Sequence, residues 1–481
     1  MKKKLSIYIF SLFLPAIWYS CESWLDVKPR GQVEADILYQ RESGFKDVLT
    51  GAYINMTSPA MYGREMTFGL VDVIGSVYPD VGTGNYYRAK NFEYDWAQVE
   101  TMIDNIWQSG YSIIANLNYM IAQLKKADKN MFAQDNYNVI YGEALGLRAM
   151  LHFDLLRLYA PSYVADKDAL AIPYVTQYTY VTTPRQSVAV VVDSILSDLK
   201  SSVRLLYQSD PIVTGREITV AVDEGYLLKR PFRLNYYAVR ALLARVYLYK
   251  SDMYNAALNA EEVIGSEKFR WLPLDDISAL QAVGRDRTFS TEQVFVLEIP
   301  KLADHIKNYL GVSSLITGNL LSFKTTDIDN LYPAASDWRK LYLWTEPEVG
   351  KTVRYSTKLW QMEGMPKDYQ YRLPLIRLPE LYLIAAEASV ESDPGKSISL
   401  LNDVRQHRGQ VNTIPDDATP EYLYQEILQE YRREFISEGV LFYQYKRRDA
   451  ESIIGAPATF DKTKYVLPIP QEEIEFGQRN K

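Results

Sequence analysis

The position of a single cysteine, Cys21, indicates a chemical modification. It is the only cysteine among 481 residues, so an intrachain disulfide cannot form. The basic residues Lys2–Lys4 and an apolar run from Leu5 to Trp18 precede it. That run is shorter than the roughly 20 residues that span a membrane, as in a cleaved signal peptide. The sequence therefore predicts a signal peptide over residues 1–20 and a lipid anchor on Cys21. Because Trp18 and Tyr19 are bulky for a lipidation signal, an unlipidated secreted protein is the alternative.

Residues that could carry catalysis are few and scattered. The three histidines, His152, His305 and His407, do not show the paired spacing of metal ligands. His152 follows a leucine on an apolar helix face, which favours a core position, and His407 lies near a helix end, which favours solvation or capping. No zinc signature, nucleophile elbow or phosphate loop is present. Although two of the 60 acidic residues would suffice for a glycosidase, we expect a binding protein and not an enzyme.

Two acidic segments could contribute to a calcium site. Asp275-Asp276 and Asp327-x-Asp329 carry the oxygen ligands that calcium prefers, but they lack the spacing of a calcium-binding loop. We interpret them as helix caps and solvated turns. The sequence predicts no cofactor and no metal, and leaves a structural calcium ion as the alternative.

Aromatic and amide side chains provide the best candidates for a binding site. Sugar rings stack on aromatic planes and their hydroxyl groups need fixed donors and acceptors, so a carbohydrate site combines Tyr or Trp with Asn, Asp or Arg. Two segments have this mixture, Asn85-Tyr86-Tyr87-Arg88 and Asn308-Tyr309. We expect ligand contacts from these residues. Loop packing is the alternative for each of them, because most of the 38 tyrosines must be structural.

The elements that would position these residues are mainly helices. Apolar residues recur with a helical period in several segments. These segments are 104–124, 137–158, 188–206, 235–249, 254–264, 378–390, 396–405 and 422–438. Alternation over Gln293 to Ile299 predicts one short strand. The stretches 58–95, 210–231 and 301–374 show no clear period and are predicted to be functional loops.

Two helix pairs have the small residues that let antiparallel helices approach closely. Ala238, Ala241 and Ala244 belong to the first pair, and Ala385 and Ala386 to the second. This pattern is similar to that of tetratricopeptide repeats, but no fixed period connects the pairs. The sequence predicts a mostly α fold with dispersed helical hairpins, long ligand-binding loops and few short strands.

The charge excludes some partners. The formal net charge is −7, and removal of the signal peptide with its three lysines makes it about −10. A chain this acidic is unsuited to nucleic acid, which requires a basic face. Electrostatic docking on anionic lipid is disfavoured for the same reason, so membrane attachment would depend on the covalent anchor.

A series of short motifs resembles the SusD/RagB family of Bacteroidetes lipoproteins. Each motif is weak by itself, but they occur in the family's order along nearly the whole chain. They are Cys21–Pro29, Trp107–Asn116, Gly142–Ala149, Tyr159–Pro161, Ile172–Val175, Pro184–Val188, Leu378–Ala388, Leu401–Gly409, Arg433–Gly439 and Leu467–Pro470.

The resemblance implies a nutrient-binding lipoprotein on the cell surface, anchored in the outer membrane. Its partners would be an oligosaccharide and a SusC-like TonB-dependent transporter that receives it. Residues 21–481 would form one co-folded domain with an amino-terminal part to about 230 and a carboxy-terminal part from about 231. In the family, ligand contacts come from the loop before the first hairpin and from the insertion after the 292–299 region, where both candidate segments lie. Asp337-x-Arg339 resembles a structural element. A peptide ligand, or a scaffold that binds only protein, is the alternative.

Overall fold

The computed structural model describes residues 37–219, 225–311, 318–347 and 349–477. The described residues are mainly helical with little strand, which confirms the predicted fold class. Cys21 and the predicted signal peptide lie outside the described residues.

The helices differ widely in length. From residue 37 to 265 they are α1 (Glu42–Met56), α2 (Leu70–Ile74), α3 (Asn85–Lys90), α4 (Ala97–Leu124), α5 (Asn136–Tyr159), α6 (Tyr163–Asp166), α7 (Val188–Ser209), α8 (Pro211–Thr214), α9 (Tyr236–Tyr249) and α10 (Met253–Gly265). The later ones are α11 (Leu274–Ile277), α12 (Leu302–Ile306), α13 (Thr325–Leu331), α14 (Trp338–Tyr342), α15 (Leu378–Ser389), α16 (Pro394–Gln406), α17 (Pro420–Glu434), α18 (Leu441–Arg447) and α19 (Gln471–Phe476). Short 3₁₀ turns cover Lys129–Met131, Arg230–Phe232, Ala282–Gly284, Ser290–Glu292, Lys367–Tyr369 and Lys462–Tyr465.

The long helices form where the sequence pattern predicts them. Helix α5 is buried along most of its length between α4 and α7. Several helices begin at polar caps that satisfy free backbone N–H groups. Ser187 accepts a hydrogen bond from Val190 N before α7, and Asn235 accepts one from Ala238 N before α9. These caps explain why the helices start where the apolar period starts.

The two predicted hairpins are confirmed. Helices α9 and α10 form the first, α15 and α16 form the second, and α10 packs against α15. The side chains of Ala238, Ala241 and Ala244 are fully buried in the first hairpin. Small residues at these positions let the helix backbones come close together, as the sequence indicated.

The strands are short and form two separate two-stranded sheets. Strands β1 (Gln293–Glu298) and β4 (Arg372–Arg377) pair antiparallel, and so do β2 (Phe323–Lys324) and β3 (Val353–Arg354). Strand β1 confirms the predicted strand. Its partner β4 lies at the end of a stretch that the sequence analysis interpreted as a loop.

The interpretation of 58–95 as a loop is wrong for much of that stretch. It contains α2 and α3, and residues 61–63, 65–78, 81, 86, 89 and 92 are buried. Helices of five and six residues are too short to show a clear period, and tertiary packing supplies their stability.

A buried network of arginines and carboxylates connects the elements of the carboxy-terminal half. The side chains of Arg339, Arg377 and Arg408 are at most 1% exposed. All three donate hydrogen bonds to Glu434 of α17. The other carboxylates of this network are Asp337, Glu292, Glu430 and Glu438. Asp337 binds Arg339 at 2.7 Å, which confirms a structural role for the Asp337-x-Arg339 element.

His152 is a buried, neutral core histidine. Its Nε2 accepts a hydrogen bond of 2.9 Å from Val175 N, so Nδ1 carries the proton and donates 2.8 Å to Arg148 O. The ring is fully buried beside Tyr174, with 4.1 Å between ring centroids. Burial lowers the pKa of His152 from 6.5 to about 3. The predicted core role is confirmed.

This histidine makes a testable contribution to acid stability. Above a pH of about 6.5 the ring is neutral in both states, whereas at lower pH only the unfolded chain binds the proton. As the pH falls from the unfolded to the folded pKa of His152, we expect the free energy of unfolding to decrease by about 1.4 kcal/mol for each pH unit. Chemical denaturation at several pH values should show that the free energy of unfolding depends less steeply on pH in His152→Gln than in the wild type. Equal slopes in both proteins would contradict this assignment.

Candidate functional site

Residues 57–70 form a compact series of turns that supports the candidate site. Backbone hydrogen bonds such as Glu65 N to Pro59 O and Gly69 N to Arg64 O hold this segment. The buried carboxylate of Glu65 accepts a hydrogen bond of 3.0 Å from Leu70 N at the start of α2. The turns thereby fix Arg64 and Glu65 beside each other.

The structure brings the two predicted segments together. The rings of Tyr86 and Tyr309 lie 5.6 Å apart between centroids. The Tyr86 hydroxyl donates a hydrogen bond of 3.0 Å to Glu65 Oε2, while Arg64 Nε donates one of 2.7 Å to Glu65 Oε1. Arg64 Nη1 then donates 2.9 Å to the Tyr309 hydroxyl. These four residues form a continuous polar and aromatic group.

Backbone contacts hold residues 83–84, directly before the first segment, against Gly318, which follows the second segment. Thr83 N and Gly84 N both donate to Gly318 O, at 2.8 and 2.5 Å. A Cβ atom on Gly84 would lie 2.8 Å from the backbone oxygen of Gly318, so this close approach requires glycine. His305 Nδ1 lies 3.1 Å from Gly63 O. We call Arg64, Glu65, Tyr86, His305, Tyr309 and Asn319 the tyrosine cluster.

The predicted site residues have different environments. Tyr86 is only 1% exposed, so it lies beneath the surface and supports Tyr309. The expectation that Tyr86 contacts a ligand does not fit this burial. Tyr309 is half-buried, Asn308 and Asn85 are partly exposed, and Tyr87 is 48% exposed.

Arg88 belongs to a separate surface group. Its Nη1 donates a hydrogen bond of 2.9 Å to Glu93, and its guanidinium lies 4.5 Å from the centroid of the Trp96 ring. Trp96 is 42% exposed and offers an aromatic face near α3. Arg88 therefore shares the short helix α3 with Tyr86 but has different neighbours.

The tyrosine cluster has no net charge at neutral pH. The carboxylate of Glu65 balances the guanidinium of Arg64. Burial lowers the pKa of Arg64, but Glu65, Tyr86 and Tyr309 together outweigh burial, so the pKa is raised overall. Burial lowers the pKa of His305 and Arg64 adds to this effect, so the ring is neutral at neutral pH. Burial raises the pKa of Tyr309, whose hydroxyl keeps its proton. The group can therefore donate and accept hydrogen bonds without adding charge.

Four members of this cluster were not predicted from the sequence. Arg64, Glu65 and Asn319 lie in stretches without periodicity, where no local pattern distinguishes them from other polar residues. His305 was considered only as a catalytic or metal-binding residue. Their roles depend on contacts between segments more than 200 residues apart in the chain.

The acidic segment Asp327-x-Asp329 has structural contacts. Asp327 Oδ2 accepts a hydrogen bond of 2.8 Å from Lys324 N at the start of α13, and Asp329 pairs with Lys340 at 2.9 Å. Within the described ranges, no group of three or more His, Cys, Asp or Glu side chains could hold a metal ion. None of the described helices combines the length and apolar character that crossing a bilayer requires.

Comparisons with known proteins agree with the fold and with the motif order. Residues 23–248 match a family described as starch-binding and associating with the outer membrane, and residues 340–459 match the SusD family. Together the two matches cover well over half of the chain. The chain belongs to the SusD/RagB family, as the resemblance indicated.

Relatives cover almost the full length of the chain. SusD-like protein P2 of Formosa agariphila is 23% identical, with 98% of this chain and 97% of the relative aligned. A solved Bacteroides vulgatus structure whose name proposes sugar binding is 26% identical, with a TM-score of 0.68 over 91% of this chain and 96% of its own. A SusD superfamily structure from Bacteroides thetaiotaomicron is 21% identical, with a TM-score of 0.69 over 91% of this chain and 98% of its own.

Proposed function

We propose that this protein binds an oligosaccharide on the outer-membrane surface and delivers it to a SusC-like TonB-dependent transporter. The observation that carries the binding step is the Tyr309 ring, held half-exposed by Arg64 above the buried Tyr86. Family membership and the 26% identical structure whose name proposes sugar binding support the same class of ligand.

The chemistry of the tyrosine cluster suits an uncharged sugar. The face of Tyr309 can stack on the C–H surface of a pyranose ring. Arg64, His305 and Asn319 are partly exposed beside it and supply donors and acceptors for hydroxyl groups. Since the carboxylate of Glu65 already balances Arg64, the cluster does not require an anionic ligand. The partly exposed Asn85, Asn308 and Tyr87 are proposed as further contacts at its edge.

A ligand panel tests the class of ligand. The secreted chain without its lipid should bind at least one neutral oligosaccharide of a glycan panel and ignore a peptide digest. Binding to the digest alone would replace the proposal with peptide capture. Binding to neither, together with co-purification of the transporter, would indicate a protein-only scaffold. Failure to co-purify with any transporter would contradict the delivery step.

The anchor has its own test. We expect the wild-type protein in the outer-membrane fraction, because several acyl chains on Cys21 would hold it there at about 0.8 kcal/mol for each buried methylene. The Cys21→Ala variant should leave that fraction and appear in the soluble one. Cell fractionation followed by immunoblotting measures this, with Ser20→Ala as the matched control. A Cys21→Ala protein that stays in the membrane fraction would contradict the anchor.

A further inference from the structure

Among the described residues, the buried arginines have carboxylate partners with one exception. Those that form ion pairs with carboxylates are Arg148, Arg230, Arg339, Arg377, Arg408, Arg433 and Arg447. The exception is Arg287, which is 4% exposed and forms no ion pair with a carboxylate that the structure describes. An unpaired buried charge is strongly unfavourable. Arg287 therefore needs a partner that the described part of the chain does not supply.

The guanidinium of Arg287 has few acceptors around it. Its Nη1 lies 3.4 Å from the sulfur of Met362, which is a weak hydrogen-bond acceptor. Its Nε is buried and makes no hydrogen bond to the described residues. Its Nη2 makes none to them either but is not enclosed, so this edge of the guanidinium faces outward. A ligand at the surface can therefore reach Nη2 without any rearrangement of the backbone.

A second arginine adds positive charge beside Arg287. Arg285 Nε donates a hydrogen bond of 3.0 Å to Ala279 O, and its guanidinium lies 5.2 Å from the centroid of the Tyr342 ring at the end of α14. Arg285 is partly exposed. Burial lowers the pKa of Arg287 to about 10, and repulsion from Arg285 adds to this shift. The two guanidinium groups are therefore close enough to interact, and Arg287 stays charged at neutral pH.

The neighbouring carboxylates do not neutralise Arg287. Asp286 is fully buried, and its two oxygens accept hydrogen bonds of 3.1 Å from Thr288 N and 2.7 Å from Ser290 N. It does not raise the pKa of Arg287, as a nearby carboxylate would. The exposed Glu363 does not raise it either. The positive charge is therefore local and uncompensated, in a chain whose formal net charge is −7.

Two turns of the chain meet at this arginine. Met365 N donates 3.2 Å to Met362 O and closes the first turn, and the second is the 3₁₀ turn Ala282–Gly284. A Cβ atom on Gly364 would lie 3.9 Å from Val283, so the two turns are adjacent. The side chain of Met362 is unbranched and adapts readily to a neighbouring group. The turns thus leave an adaptable surface over the guanidinium.

We infer that Arg287, assisted by Arg285, binds the oxyanion of a small ligand, a carboxylate or sulfate group, where these two turns meet. A guanidinium donates parallel hydrogen bonds to two oxygens of such a group, which a halide ion cannot accept. The oxyanion is either a free ion or a charged substituent of a sugar, because both present the same oxygens. The site contains no residue of the tyrosine cluster and does not depend on the proposed oligosaccharide binding.

Calorimetric titration of the full-length mature chain tests the inference. In a background of sodium chloride at constant ionic strength, sodium sulfate or sodium acetate should bind saturably. Saturable binding of neither would overturn the inference. D-Glucose 6-sulfate and D-glucuronate, compared with the free ions, distinguish the two sources. Tighter binding of the charged sugar assigns the site to a saccharide substituent, and equal or weaker binding assigns it to a free ion. Equally tight binding of uncharged D-glucose would contradict recognition of the oxyanion.

Variants assign the binding to Arg287. Arg287→Met removes the charge and keeps an unbranched side chain, and it should weaken binding of the better probe at least about tenfold. Arg204→Met, at an exposed arginine of α7, should leave the affinity unchanged. Unchanged affinity in a folded Arg287→Met protein would show an adventitious ion only. If that variant fails to fold, the partly exposed Arg285→Gln should weaken binding severalfold, and unchanged affinity there would contradict the site.

Thermal unfolding separates a ligand site from a purely structural arginine. Without added oxyanion, Arg287→Met should unfold at the same temperature as the wild type or higher, because it removes an unpaired buried charge. The better probe should raise the unfolding temperature of the wild type more than that of Arg287→Met. A clear loss of stability in Arg287→Met without oxyanion would show that the protein itself supplies the partner, which would overturn the inference.

Discussion

Replacement of Glu434 with glutamine is expected to lower the free energy of unfolding by about 3–5 kcal/mol, because each of three buried arginines loses one of its carboxylate partners. Glu434 Oε1 accepts hydrogen bonds from Arg377 and Arg408 at 2.6 and 2.9 Å, and Oε2 accepts from Arg339 at 2.8 Å. Burial alone would raise the pKa of Glu434, but these three arginines hold it well below its usual range. A glutamine would be neutral and would direct an NH₂ group at one of the guanidinium donors.

Equilibrium denaturation measures this effect. The control is Glu451→Gln, since the Glu451 side chain is 83% exposed and pairs with Lys462 at the surface. The Glu451→Gln substitution should change the free energy of unfolding by no more than about 0.5 kcal/mol. A loss below about 1 kcal/mol in Glu434→Gln would show that the network does not hold the carboxy-terminal half together.

The second large effect is expected at Tyr86. Removal of this ring in Tyr86→Ala should lower the free energy of unfolding by about 3–5 kcal/mol, as for other large buried side chains. The variant creates a cavity beneath Tyr309 and deprives Glu65 of one donor. Tyr86→Phe retains the ring and loses one hydrogen bond, so it should cost only about 0.5–1.5 kcal/mol.

The neighbouring residue provides a matched control for Tyr86. Tyr87 is 48% exposed on the same short helix, and Tyr87→Ala should change stability by less than about 0.5 kcal/mol. Thermal or chemical unfolding of the three variants gives the comparison. Similar losses of unfolding free energy in Tyr86→Ala and Tyr87→Ala would contradict the finding that Tyr86 is buried and Tyr87 is exposed.

Long helices could be predicted from the sequence because periodicity is a local property. Helices α5 and α7 follow the predicted segments closely, since apolar residues recur over many turns and caps such as Ser187 mark the starts. Strand β1 was found by its alternation, but its partner β4 contains Pro374, which weakens a strand signal. The short helices α2 and α3 depend on tertiary packing and leave no such pattern.

The site was predictable only in part. Tyr86 and Tyr309 were identified by residue type, and the structure places their rings together. Residue type alone could not show that Tyr86 is buried, because exposure depends on the chain that covers it. Arg64 and Tyr309 are 245 positions apart, and only the fold makes them partners. A solvated arginine and one that orients a ligand-binding ring look alike in the sequence.

The measurement that most directly tests the proposed function is calorimetric titration of Tyr309→Ala and Arg64→Met with the best-binding neutral oligosaccharide. Both variants should bind at least about tenfold more weakly than the wild type, because they remove the stacking face and the group that orients it. Tyr254→Ala, which removes a 78% exposed ring from α10, should bind as the wild type does. Unchanged affinity in folded Tyr309→Ala and Arg64→Met proteins would contradict the assignment of the tyrosine cluster as the sugar-binding surface.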